Sequence, residues 1–398
     1  MSEAWLSEPL ERLVEPDSPI TYGVVKPGDP GEVPFVRGGD IADGRVLVDQ
    51  LRTISAEVSR QYKRRLLQGG ELLISLVGQP GQVAVAPPNL AGSNIARQVG
   101  LIRLSQQVLP SFVSYFLRSP DGLAGLGART GGSVQQVINL SDLRQVLVPV
   151  PEREEQQRLI DLLDEAFEGI ATAKANAEKN LQNARELFDS RLRSLVSEQA
   201  EASDRKTLRE IAMDFGRGKS KHRPRNDPKL YGGPYPFIQT GDVRGSDHLI
   251  TDFAQTYSDA GLAQSKLWPK GTLCITIAAN IAETGVLGFA ACFPDSVIGV
   301  VVDERQTSSK YLEYMLQTVK AELKAKGKGS AQDNINLATF ENERFPFPDL
   351  ATQASIVGSL DALAAEIQRL EAIYANKLAA LDELKQSILH QAFSGGRS

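Results

Sequence analysis

Apolar positions along this chain follow two different rules. Over most of its length they form short, near-continuous runs cut by glycine and proline, such as ELLISLVG (Glu71–Gly78), QVAVA (Gln82–Ala86) and GTLCITIA (Gly271–Ala278). That pattern predicts strands and turns, with helices at LPSFVSYFLRS (Leu109–Ser119) and SSKYLEYMLQTVKAELK (Ser308–Lys324). In two stretches, 152–199 and 350–393, proline disappears, glycine nearly so, and apolar residues recur at helical spacing. In the second stretch Ile356, Leu360, Leu363, Ile367, Leu370, Tyr374, Leu381, Leu384 and Ile388 alternate steps of four and three, broken only at Lys377. That is a heptad seam. The first stretch places Leu159, Leu163, Ala166, Ile170, Ala173, Ala177, Ala184 and Leu187 at the matching positions, with Asn180 opposite the break.

The two seams are related by a fixed offset. VPVPEREEQQRLIDLLD (Val148–Asp164) returns 197 residues later as FPFPDLATQASIVGSLD (Phe345–Asp361), matching at Pro149/Pro346, Pro151/Pro348, Gln156/Gln353, Leu163/Leu360 and Asp164/Asp361. Upstream, GSVQQVINL (Gly132–Leu140) and GSAQDNINL (Gly329–Leu337) share six of nine positions at the same offset. PFVRGGDI is echoed by PFIQTGDV, and GELLISLV by GTLCITIA. Order is preserved throughout, so a whole unit is duplicated: a globular part at 1–150, a helix at 151–200, a second globular part at 206–348 and a second helix at 350–394. A bulky seam facing an alanine-rich one predicts two helices packed on each other, each roughly 65 to 70 Å long at 1.5 Å per residue. Proline tolerates a helix start but not its interior, so each Pro-x-Pro stiffens the joint between a globular part and its helix.

Composition narrows the function. The chain has 398 residues, 41% of them hydrophobic and 23% charged, as in ordinary globular proteins. No basic stretch followed by an apolar core opens it, and no long apolar run could span a membrane, so a cytoplasmic protein is expected. Cys274 and Cys292 suit two buried thiols in strands and cannot make a disulfide framework or a four-ligand zinc site. His222, His248 and His390 are scattered, so no metal site is expected. The net charge of −5 is unequally spread. Basic residues concentrate at 60–65, 217–229 and 320–329, and acids in the helical stretches. Globular parts that meet a polyanion while the helices do not would have this distribution.

Two globular domains, each closing on G-S-x-Q-x-x-I-N-L, a short P-x-P and a long coiled-coil helix, resemble the specificity subunit of type I restriction-modification enzymes over nearly the whole chain. The resemblance implies an α/β (α+β) fold. Two similar target recognition domains would each be followed by a long helix, and the helices would pack as an antiparallel coiled coil in an internal pseudo-twofold repeat. It implies that each domain reads one half of an asymmetric, interrupted site on double-stranded DNA, and that the helices set the gap and dock two methyltransferase (modification) subunits. S-adenosylmethionine would then belong to those partners, and ATP and Mg to a restriction/translocase subunit where one is present. The chain itself would hold no cofactor, no metal and no catalytic residue. A coiled-coil scaffold that binds proteins through its globular ends is the other reading, and it leaves the basic loops without a purpose.

For a DNA reader, phosphate contacts fall to Lys and Arg, and base choice to bidentate Arg, Asn or Gln on loops. In the first domain the candidates are Tyr22, Lys26, Arg37, Arg129, Thr130, Ser133 and Gln135. In the second they are Arg217, Lys219, Lys221, Arg223, Arg225, Gln239, Thr240, Lys328, Ser330 and Gln332. Duller roles compete. Arg60–Arg65 suits a solvated face equally well, Arg217–Arg225 a soluble loop, and the Ser and Gln positions recurrent turns. Asp40 and Asp242 suit turn caps better than DNA contacts. Catalytic readings do poorly. VAPPN lacks the polar and aromatic residues of an amino-methyltransferase motif, and FGRGKS has Met213 in place of the first glycine of a phosphate loop and Pro224 in the way of its helix. Asp295, Asp303, Glu304 and Arg305 are wrongly spaced for a nuclease set.

Overall fold

A computed structural model describes residues 5–127, 137–200, 203–222, 224–278, 282–327 and 337–394. The chain divides into two compact units, Met1–Glu178 with Tyr374–Ser398, and Lys179–Ile373.

In the first unit a four-stranded antiparallel sheet runs in the order Thr21–Tyr22, Val99–Ile102, Leu72–Ser75, Val83–Val85. Successive strand residues point to opposite faces. Leu72 and Ile74 therefore enter one core with Phe112, Phe116 and Leu117, while Leu73 enters another with Phe35, Val36 and Ile54. Burial on both faces explains why ELLISLVG reads as a continuous apolar run. The second core is closed by a sheet in which Val33–Val36 pairs antiparallel with Arg52–Ile54 and parallel with Asn94–Ile95.

The second unit repeats this logic. Leu273 and Ile275 of the strand Leu273–Thr276 face a core with Tyr311, Leu312 and Phe347, while Cys274 faces Trp268 and Phe293 on the other side. Cys274 is a buried strand thiol, as expected, and its burial pushes the thiol pKa far up. Cys292 is buried too, but in an isolated bridge to Phe237. That parallel bridge echoes the Phe35–Asn94 pair of the first unit.

Each globular part is closed by pairing its first strand with the strand that carries the Pro-x-Pro. Ser7–Pro9 lies against Leu147–Pro149, and Asp204–Lys206 against Phe345–Phe347. The helices Arg153–Ala200 and Leu350–Ser394 follow, 48 and 45 residues long, or about 72 and 68 Å. Asp349 caps the second, accepting from Thr352 N at 2.8 Å, and this bond holds its carboxyl below the usual range.

The two helices run antiparallel, which each unit shows by itself. In the first unit Lys174 pairs with Asp382, and Phe393 meets Phe112 and Phe116 edge-on at 5.4 and 5.5 Å between ring centroids. In the second Arg185 pairs with Glu371 at 2.8 Å, and Leu192 and Val196 join the core that holds Ile356 and Leu360. The docked tails occupy equivalent places in the repeat, Leu192 with Leu389 and Val196 with Phe393.

The seam departs from the heptad expectation past its midpoint. Leu187 and Leu384 are 60% and 47% exposed, and the half-buried positions are Leu181 and Phe188 on one helix and Leu378 and Lys385 on the other. A nearly straight helix of 3.6 residues per turn drifts about 20° per heptad, so the seam takes a second step of four at Ala177–Leu181 and Tyr374–Leu378. Lys385 tolerates its inward place because its ammonium lies 5.5 Å from the Phe167 ring centroid and 3.0 Å from the Asp43 carboxylate.

Candidate nucleic-acid interface

The repeated glutamines, leucines and aspartates of the sequence build one joint twice. Gln156 is fully buried; its amide donates to the carbonyls of Pro151 (2.9 Å) and Gln107 (3.0 Å) and accepts from Leu109 N (2.8 Å). Gln353 donates to Pro348 O (2.8 Å) and Gln306 O (2.9 Å) and accepts from the Thr307 hydroxyl (2.9 Å). About two turns past each glutamine, Asp164 accepts from the Tyr115 hydroxyl and Asp361 from that of Tyr314. Leu163 and Leu360 are buried beside them. Each long helix is thus bonded to its own globular part through the same three positions.

On the first globular part the fold gathers two separate basic stretches. The helix Ala56–Gln61, capped by Ser55, leads into a 3-10 turn, Lys63–Arg65. Arg65 sits 5.6 Å from the ring centroids of both Tyr22 and Tyr62 and donates to Gly23 O at 3.4 Å. The Tyr62 hydroxyl accepts from Val25 N at 3.4 Å. The segment holding Tyr22 and Lys26 is therefore stitched to the Arg60–Arg65 run. Lys26, Lys63 and Arg64 are exposed and have no ion-pair partner among the described residues, and Tyr22 offers an exposed edge. Unpaired cations beside two aromatic faces can hold phosphates and stack a base or a sugar. Sequence spacing marked Tyr22 and Lys26 as candidates and the basic run as undecided; only the tertiary contact makes them one surface. Tyr62 was missed, because a tyrosine among arginines has no distinguishing spacing.

Arg37 is placed differently. It holds Asp40 with Nε at 3.0 Å and Nη2 at 2.6 Å, which raises its own pKa, and Asp40 also accepts from Arg37 N at 2.8 Å. In the repeat Asp242 accepts from Gln239 N at 2.7 Å, and the Gln239 amide donates to Gln255 at 2.8 Å. Both aspartates cap turns. Thr240, in the first turn of the helix Thr240–Gly245, is half-buried.

The basic loop of the second globular part is ordered by an acid 70 residues away. Arg225 lies 2.9 and 3.0 Å from the two carboxylate oxygens of Asp295, and Arg217 donates to the Asp295 carbonyl at 2.6 Å. Tyr231 donates to Arg225 O at 2.7 Å. Gly218 is needed for close approach, since a Cβ there would meet Phe293 O at 2.2 Å. Lys219 and Lys221 are exposed. The crowding of basic residues seen in the sequence is thus relieved in part by Asp295, leaving the two lysines as the loop's unpaired cations among the described residues. Arg129, Thr130, Ser133, Gln135, Arg223, Lys328, Ser330 and Gln332 lie outside the described residues.

Among the described residues no three His, Cys, Asp or Glu groups are placed to hold a metal, and no helix is long and apolar enough to cross a membrane. Asp303 is held by Arg305, with bonds of 2.9 Å to Nε and Nη2, which draws its carboxyl far down.

Residues 25–182 and 205–377 match the model of the type I restriction modification DNA specificity domain, once in each half of the chain. The chain belongs to that family. Each half of the chain therefore carries a type I restriction modification DNA specificity domain. It is 32% identical over 186 residues to the type I restriction enzyme EcoBI specificity subunit of Escherichia coli, a stretch covering 46% of this chain and 38% of that protein. The match therefore spans less than half the length of that relative. It is 20% identical over 316 residues to the StySPI specificity subunit of Salmonella potsdam, covering 74% of this chain and 67% of that one. Among solved structures, a chain from a study of complex assembly and conformational transition of the type I R-M system superposes with a TM-score of 0.75 at 20% identity, covering 98% of this chain and 97% of that one. The HsdS subunit from Thermoanaerobacter tengcongensis superposes with a TM-score of 0.58 at 20% identity, covering 99% and 97%. These two likenesses establish the specificity-subunit fold.

Proposed function

We propose that each globular part of this specificity subunit binds one half of an asymmetric, bipartite site on double-stranded DNA. The paired helices set the spacing between the halves and dock two methyltransferase subunits, with restriction/translocase subunits joining where the system cleaves. The cofactors of methylation and translocation belong to those partners, and the complex works in the cytoplasm. The observation that carries this reading is the duplicated joint. Gln156 with Asp164 and Gln353 with Asp361 fasten each globular part to its helix through matching bonds to the Gln107 and Gln306 carbonyls and from the Tyr115 and Tyr314 hydroxyls, so the attachment was kept while the surfaces diverged. Two readers on a stiff support bind in register only when their separation suits the repeat of about 34 Å per turn, so helix length enters specificity.

The test is to sequence methylated adenines in the host genome with and without this gene. Two short sequences at a constant gap, methylated only when the gene is present, are expected. An unchanged pattern refutes the reading. Removing one heptad from both helices is expected to alter the gap and leave both half-sites as they were.

A further inference from the structure

The two copies clasp the same pair of segments. Asn94 pairs with Phe35 in the first copy as Cys292 does with Phe237 in the second, so Ile95 and Phe293, one residue on, hold equivalent places. Their carbonyls accept from Val24 N at 2.7 Å and from Lys219 N at 3.1 Å. Lys26 and Lys221, each two residues further, therefore occupy one position of the repeat. A second tie joins each segment to the turn that precedes the central strand. Val25 N donates to the Tyr62 hydroxyl at 3.4 Å, and the Ser265 hydroxyl donates to Lys219 O at 2.8 Å. The basic surfaces of the two globular parts are thus one face, built twice.

On that face the first copy holds one cation unlike the rest. Lys26, Lys63 and Arg64 are exposed and free to follow a phosphate backbone. Arg65 is half-buried, 5.6 Å from the ring centroids of both Tyr22 and Tyr62, with Nη1 donating to Gly23 O at 3.4 Å. The backbone on either side of it is pinned from below. Arg103 donates to Arg64 O at 3.3 Å and to Leu66 O at 2.7 Å, and lies 3.5 Å from the carboxylate of buried Glu71. Glu71 in turn accepts from Gln68 N at 2.6 Å and Gly69 N at 2.8 Å. Among the described residues nothing bonds to Nε or Nη2 of Arg65. A guanidinium fixed at its stem, its faces and one nitrogen, with that edge open, is preorganised for a planar acceptor pair such as guanine O6 and N7.

The second copy lacks this device. RRLLQGGEL (64–72) aligns without gaps on SKLWPKGTL (265–273), which puts Lys266 in the place of Arg65. Its ammonium lies 3.5 Å from the Trp268 ring centroid and 2.5 Å from Asp214, so its charge is spent within the fold, and a lysine offers no planar fork.

We infer that Arg65 is a specificity-determining residue of the first globular part, reading a guanine through its Nε and Nη2 edge, and that the equivalent place in the second copy reads no base. The inference rests on the proposed binding of one half-site by each globular part, and adds to it a residue, a base and a source of the asymmetry between the halves.

The test uses the full chain with its methyltransferase subunits. The site is first read from adenine methylation in cells carrying the wild-type gene, and affinities are then measured for duplexes bearing that site or each single base-pair change. In one half, a G·C pair is expected at which every change weakens wild-type binding by about 5- to 150-fold. Arg65→Ala is expected to remove that discrimination while every other position and the gap keep theirs. Arg65→Lys, which retains the charge but not the fork, is expected to lose it too, and decides should Arg65→Ala not fold. Lys266→Met is expected to leave the preferred sequence of both halves unchanged. Equal weakening of all duplexes by Arg65→Ala, which marks a phosphate contact, overturns the inference. So does an unchanged preference, relaxation at an A·T pair, full discrimination in Arg65→Lys, or an altered half-site in Lys266→Met. Wild-type methylation at no bipartite site refutes the underlying reading and this inference with it, whereas a bipartite site indifferent to Arg65 refutes the inference alone.

Discussion

Tyr314 donates its hydroxyl to Asp361 at 2.8 Å, tying the helix Ser309–Gly327 to the second long helix. Burial and the neighbouring carboxylate push the tyrosine pKa far up, so it remains a donor at every physiological pH. Tyr314→Phe removes one charge-assisted bond and little else. It is expected to destabilise the chain by about 1 to 2 kcal/mol in urea unfolding, and Asp361→Asn is expected to be milder.

Gln156 is the more demanding member of the joint. Its buried amide satisfies two carbonyls and one backbone N–H. Gln156→Leu fills the same space but strands those groups, at a cost of about 1 to 3 kcal/mol for each buried polar group left unpaired. Unfolding that matches wild type would show that solvent reaches the joint.

The revised seam separates two apolar residues nine positions apart on one helix. Phe393, 2% exposed between Phe112 and Phe116, is expected to cost about 3 to 5 kcal/mol as Phe393→Ala. Leu384→Ala is expected to stay within about 0.5 kcal/mol. A strict heptad would make Leu384 a core residue, and a large loss there would restore it.

On the second globular part, Lys219 and Lys221 carry the loop's unpaired charge, whereas Arg225 also holds the loop to Asp295. Each lysine that contacts a phosphate contributes roughly 0.9 to the slope of log affinity against log salt. Lys219→Ala and Lys221→Ala are each expected to flatten that slope by about this amount without changing the preferred sequence. Arg225→Ala is expected to weaken binding to one half-site only, read as methylation of DNA altered in either half.

His248 gives the second unit a pH signature. Its bond to Glu313 raises its pKa above the ordinary imidazole value. The stabilisation is therefore complete below the unfolded pKa of about 6.5. It fades as pH rises through the higher folded value. His248→Gln is expected to remove this decline, visible as a flatter melting temperature between about pH 6.5 and 9.

Some of this was legible in the residues and some was not. The repeat at 197 residues, the strand runs and the two long helices follow from local rules: side-chain period, proline placement and the exclusion of glycine. The matched glutamines and aspartates announced that something was duplicated, but a bare match cannot say which carbonyls a buried amide will reach. The seam register was half right. Steps of three and four look alike over two turns, and only accumulated drift along a rigid helix shows where an additional four must fall.

What the sequence determined by itself was a duplicated pair of globular parts and helices, because periodicity and repetition are properties of neighbours along the chain. What the tertiary structure decided was which charges are free. It drew Asp295 to Arg225, Asp40 to Arg37 and Tyr22 to Arg65. Charge pairing depends on distance through space, falling off within a few ångströms of contact, and residues 70 apart in sequence meet only once the chain has folded.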